Sequence, residues 1–97
     1  MRVEVYRDTV HVNMAILRAS SGAEKEFYRV ALAARWSNIK TYVEAAKAQG
    51  LVFITGIEIL DFDSSTAVIS IYLNIKDDAA AIYYKLSIDP TIIKVNT

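Results

Sequence analysis

Hydrophobic and polar residues alternate over Arg2–Tyr6, with Val3 and Val5 on one side and Glu4 and Tyr6 on the other. The alternation resumes at Val10, Val12, Met14 and Ile16, now on even numbers. A regular strand cannot exchange its buried face, so the change of phase at Arg7-Asp8-Thr9 requires a turn or a bulge. The pattern therefore predicts a short strand over 2–6, a break, and a longer strand over about 9–18. Ser20-Ser21-Gly22 closes that strand, and either serine suits the cap of a helix.

From Ala23 to about Gln49 the period becomes helical. Tyr28, Leu32, Trp36, Ile39, Tyr42, Val43 and Ala46 fall on one side, opposite Glu26, Arg29, Ser37, Lys40, Glu44 and Lys47. Gly50 ends the helix, and Ser37-Asn38 is a point at which it could divide. Leu51–Phe62 reads as a strand apolar on both faces, with Gly56 suited to a bulge. The cleanest alternation is Thr66–Lys76, where Ala67, Ile69, Ile71, Leu73 and Ile75 share one face. Asp77 and Asp78 then open a short helix over about 79–87, expected to turn Ile82, Tyr83 and Leu86 inward. Asp89-Pro90 stops it, and Ile92–Asn96 is expected as a last strand.

From residue 9 the order is strand, helix, strand, strand, helix, strand. This predicts an α+β fold, a ferredoxin-like two-layer sandwich (βαββαβ) with two helices on one face of a four-stranded sheet. Strands 9–18 and 66–76 take its centre. The strand at 2–6 is left over as an extra N-terminal strand, which must extend an edge, reach into a partner or displace the last strand. A chain of 97 residues is expected to be one domain.

Composition adds an apolar surplus. The chain is 54% hydrophobic and 23% charged, more apolar surface than so small a core can hide, so association into a homodimer or larger homo-oligomer is expected. Eleven basic residues are scattered and matched by eleven acidic ones, which argues against a nucleic-acid partner. No apolar run reaches membrane-spanning length, and Arg2, Glu4, Arg7 and Asp8 interrupt any leader-like core. With no cysteine, thiolate chemistry and disulfides are excluded, and a cytoplasmic location is expected.

The segment "IEILDFDSST" at 57–66 carries the one chain-order hint of a catalytic motif, an Asp-x-Asp like the nucleophile loop of phosphoaspartate-forming phosphatases. Its threonine stands one residue late, and a strand follows where that chemistry needs a loop. A calcium loop fails as well, since Thr66 stands at the glycine position and Tyr72 at the bidentate glutamate. Asp63-Ser64-Ser65 reads as a hairpin turn.

If the helices cover one face of the sheet, the other face presents His11, Asn13, Ser70, Tyr72 and Asn74, joined by Glu58 from the neighbouring strand. An imidazole, a phenol and two amides on one surface could bind a small organic ligand. His11 is the sole histidine and has no evident carboxylate partner, so a plain exposed position accounts for it more simply than catalysis. No ligand spacing for a metal and no glycine-rich phosphate loop is present, and no cofactor is expected. Arg35 falls on the apolar side of the long helix; its stem is expected along the core edge, with its head in water.

In "ILRASSGAEKEFYRV" small residues with a glycine precede a Glu-x-x-aromatic helix start, and "AVISIYLNIKDDAAAIYYKLSIDPTIIKV" runs from strand to short helix to strand. Together these resemble the dimeric α+β-barrel proteins. The resemblance implies two subunits packed sheet to sheet around a cavity, in a group that includes cofactor-independent enzymes, ligand binders and members without chemistry. Fold does not choose among them. Two functions are carried forward. The first is a non-enzymatic homo-oligomeric module acting through assembly, with a further protein partner if it serves as an accessory subunit. The second is a small-ligand binder or cofactor-independent enzyme using the open sheet face.

Overall fold

The computed structural model describes residues 1–19, 21–63 and 65–88. Their order is β1 (Arg2–His11), α1 (Met14–Ala19), α2 (Ala23–Ala34), α3 (Trp36–Ala48), β2 (Phe53–Phe62), β3 (Thr66–Ile75) and α4 (Asp78–Ile88). The three strands form an antiparallel sheet in the order β1-β3-β2. Since β1 and β2 both run against β3, they are parallel to each other with β3 between them. The architecture is α+β.

β3 behaves as the alternation demands. Ala67, Ile69, Ile71, Leu73 and Ile75 are all buried toward the helices. Around them the core divides in two. At one end Val3, Leu73 and Ile75 pack with Val43 and Ala46 of α3 and Ala81 and Tyr84 of α4. At the other, Val10, Ala67 and Ile69 pack with Ala31, beside Phe27 of α2. The helices other than α1 thus share one face of the sheet.

The expected strands at 2–6 and 9–18 are corrected to a single strand, β1. The phase change is absorbed by a bulge between Glu4 and Tyr6, leaving Val5 as the extra residue. Val3 faces the core before the bulge, opposite Leu73; Asp8 and Val10 face it afterwards, opposite Ile69 and Ala67. No extra N-terminal strand is formed, because 2–6 is the first half of β1. Residues 14–19 are helical, not extended. Met, Ala, Leu and Arg there are good helix formers, and the Asn13 carbonyl accepts a helical bond from the Leu17 N–H at 3.1 Å.

The long helix breaks at Arg35, whose φ of −107° and ψ of 10° leave the helical region. Bonds of the tighter i→i−3 kind flank the break, from Arg35 N–H to Leu32 and from Asn38 N–H to Arg35. The phase shifts there, so Ile39, Val43 and Ala46 are buried on α3 while Trp36, expected in the core, is exposed. Ser21 does not cap α2: Gly22 holds that position at φ 95° with no side-chain bond. Ser20 lies outside the described residues. Gly50, at φ 72°, ends α3 while Leu51 N–H bonds the Ala46 carbonyl at 3.1 Å.

Asp63 makes the hairpin. Its Oδ1 accepts from the N–H groups of Ser65 and Thr66 at 2.9 and 2.8 Å, and from the Thr66 hydroxyl at 3.0 Å. These bonds, the one from Ser65 foremost, hold its carboxyl below the usual 3.8. The bulge in β2 sits at Leu60, between Ile59 and Asp61, and not at Gly56.

Asp77 opens α4 by accepting from the Ala80 N–H at 3.0 Å. The inward side of α4 is corrected: Ala81 and Tyr84 are buried, whereas Ile82 and Tyr83 are exposed. A small residue at 81 lets the helix approach the sheet, and the Tyr84 hydroxyl donates to the Tyr42 carbonyl of α3 at 2.7 Å. A tyrosine is tolerated in the core because its polar tip is satisfied. The expected stop at Asp89-Pro90 and strand at Ile92–Asn96 lie outside the described residues.

The Tyr84 bond sets the first test. Tyr84→Phe keeps the ring but removes the donor, and should cost about 1 kcal/mol, read as a fall in Tm of about 4–8 °C. Burial, and then nearby Tyr42, push the Tyr84 phenol up to about 12 from 10.0. An unfolded chain ionises that phenol first, so its contribution is intact below pH 10 and lost as pH rises toward 12. The gap between wild type and Tyr84→Phe should therefore narrow in thermal melts taken above pH 10.

Candidate functional site

Strand pairing decides which side chains share the sheet face away from the helices. Arg2, Glu4, Arg7, Thr9 and His11 on β1 pair with Asn74, Tyr72, Ser70, Val68 and Thr66 on β3. On the other side of β3, Ile54, Gly56, Glu58 and Asp61 pair with Asn74, Tyr72, Ser70 and Val68. Five of the six sequence-derived candidates, His11, Glu58, Ser70, Tyr72 and Asn74, thus lie on one face. Asn13 does not; it stands past the strand, at the start of α1.

The structure gathers only some of these five. Arg2 spans β3, with its guanidinium 4.3 Å from the Tyr72 ring centroid and its Nη1 2.7 Å from Glu58 Oε2. Tyr72 lies between that cation and the backbone of Gly56, where an added Cβ would fall 2.5 Å from the ring. Glycine at 56 gives the aromatic ring a bare strand to lie on. Beside this stack, Glu4 accepts from Arg7, 3.0 Å away, and from the hydroxyl of buried Ser70. Burial alone would raise the Glu4 carboxyl, but the bonds from Arg7 and Ser70 and the charge of Arg7 outweigh it and hold it below 4.5.

His11 stands apart. It pairs with Thr66, four residues along β3 from Ser70, which is about 14 Å at ordinary strand rise. Its neighbours at that end of the sheet are Val12, Asn13 and Ser65, around an open depression. Asn74 ends the face on the opposite side, its Oδ1 accepting from the Met1 amino group at 3.3 Å. Among the described residues no enclosed cavity collects the six candidates. Both carboxylates in the central cluster are already held by guanidinium groups, an arrangement for cohesion more than for proton transfer.

Sequence patterning misses Arg2 and Glu4 because it sets 2–6 apart as a separate strand, and Arg7 because the bulge at Val5 moves the register beyond it. It also misses a cleft of about 640 Å³ between α1, α2 and the end of β2. Arg18 and Glu24 supply opposite charges there, and Leu17, Tyr28, Ile59 and Phe62 the apolar wall. The Arg18 guanidinium lies 5.1 Å from the Phe62 ring centroid, while the Tyr28 hydroxyl donates to Glu24 at 2.8 Å. Burial, with help from Glu24, pushes that phenol up to about 12. Only the helical form of 14–19 brings Arg18 to this place, so a strand over 9–18 concealed it.

Under the helices, Arg35 meets Asp8 at 3.1 Å and also bonds the Ala31 carbonyl. Its head is therefore engaged by a carboxylate, where water was expected. Among the described residues no group of three or more His, Asp or Glu is placed to hold a metal, and no helix is long and apolar enough to cross a membrane. In comparisons with known proteins the chain matches no family model, no curated protein and no solved structure.

Gly56 and Tyr72 provide the test of this face. Gly56→Ala must displace the ring and break the Arg2 stack, at a cost of about 1–3 kcal/mol. In a Tyr72→Ala background the same change should cost much less. Denaturant unfolding of the four-member cycle measures this; additive effects would mean that the ring does not rest on the glycine.

Proposed function

We propose that the protein is a non-enzymatic, self-associating α+β module of ferredoxin-like type, acting through assembly. The observation that carries this is the exposure of apolar side chains at both ends of β2 and on its approach: Val52 (69%), Ile54 (74%), Leu60 (43%) and Phe62 (49%). Such side chains on one edge of a small domain are an association surface more often than a solvated one. The ferredoxin-like layout is supported by parallel β1 and β2 enclosing β3, and by α4 packing over β1 and β3. In that layout a fourth strand lies beside β1, which leaves β2 as the free edge.

The dimeric α+β-barrel resemblance would join subunits sheet to sheet. That contact would bury the Arg2–Glu58 and Arg7–Glu4 pairs, and desolvating paired charges is costly. The apolar edge is the better contact. Light scattering at micromolar concentration should return a mass of two or more chains; a monomer there overturns the proposal. His11→Ala should leave the mass unchanged, since that side chain is exposed and remote from β2.

Small-ligand binding is the second function, favoured by the cleft at Arg18 and placed there in preference to the sheet face. Its cation and apolar wall suit a small aromatic or aliphatic carboxylate. A panel of such acids should raise Tm saturably in the wild type and not in Arg18→Ala. An identical response in both would exclude the cleft.

A further inference from the structure

We infer that two copies join through β2 itself, pairing antiparallel about a two-fold axis at Ile57 to make one continuous sheet of at least six strands. This rests on the self-association proposed above and names its surface. Among the described residues β2 has a sheet neighbour on one side only, β3. Its ten residues, Phe53–Phe62, contain no Lys, Arg or Pro, the residues that commonly keep edge strands from pairing.

The spacing of the exposed apolar residues selects the register. Ile54 and Leu60, at the two ends of the regular run, are symmetric about 57. An antiparallel pairing centred there sets Ile54 opposite Leu60 of the second copy, on the face that Gly56 and Glu58 share. Ile54 and Leu60, each exposed in the single chain, then gain an apolar neighbour from the other molecule. A two-fold contact needs this self-complementarity, because one patch must fit its own copy.

Charge points to the same register. Centred at Ile57, Glu58 falls opposite Gly56 of the second copy, so no like charges meet within the regular run before the bulge. Moving the centre to Glu58 would set that carboxylate against its own copy, and moving it to Gly56 would set Ile54 against Glu58. Like charges directly opposite destabilise a strand pair. Glu58 is in any case neutralised within its own subunit by Arg2.

The chain contains no cysteine, so engineered thiols report this contact without background. The double variant Ile54→Cys/Leu60→Cys should form a disulfide-linked dimer under mild oxidation, whereas each single variant should not. Ile54→Lys should raise the dissociation constant at least tenfold by sedimentation, with unchanged circular dichroism; if that variant does not fold, Leu60→Lys takes its place. A dimer indifferent to the lysine, or single variants that cross-link as well as the double, would overturn the β2 pairing while leaving self-association standing. A native chain that sediments as a monomer would remove both.

Discussion

The fold depends on β3 being satisfied on three sides at once. Its odd-numbered residues are sealed under the helices, and both of its edges are bonded to neighbouring strands. A strand held in this way cannot slip by one residue without turning five apolar side chains outward. Irregularity is therefore displaced onto the flanking strands. β1 bulges at Val5 and β2 at Leu60, while β3 runs straight between them. The two bulges are what allow the patterns of the neighbours to be fitted to that of the central strand.

The same constraint writes the outer face. Once β3 fixes the register, Tyr72 has glycine on one side and Glu4 on the other, and Ser70 has Arg7 and Glu58. The polar groups then close on one another: Arg2 on Glu58 and Tyr72, Arg7 and Ser70 on Glu4. Partly exposed pairs of this kind contribute little to stability individually. Their effect is to occupy groups that would otherwise offer acid, base or ligand contacts. In geometry these groups form a cross-strand clasp.

How much of this was legible in the sequence follows from which interactions are local. β3, its buried positions, the hairpin at Asp63 and the caps at Gly50 and Asp77 were readable, since each depends on side chains within a few residues. The single strand β1 was not, because only pairing with β3 shows that a phase change is a bulge and not a break. Helix α1 was hidden for a related reason: alternation at Val10 and Val12 was extended into a stretch whose intrinsic preference is helical. The orientation of α4 was misjudged by hydrophobicity alone, which favoured Ile82 and Tyr83 over Ala81 and Tyr84. What decides there is close approach and a satisfied hydroxyl, and neither appears in a periodicity. Of the candidate site, five of six residues were placed on the correct face, yet their dispersal along it required the register.

The contrast between face and edge is finally one of desolvation. Covering the outer face with another molecule would strip water from two ion pairs and a buried-side hydroxyl network that are already complete, so the contact would add few new interactions while carrying a charge-burial cost. Covering the edge of β2 that is free among the described residues instead removes water from Ile54 and Leu60, for which exposure is the unfavourable state. It also supplies partners for strand N–H and C=O groups that otherwise face solvent. The bulge at Leu60 is the feature of this edge that resists pairing; centred at Ile57, the contact keeps residues 55–59 of each copy as its regular run. Physical cost and apolar gain therefore point to the same strip of surface.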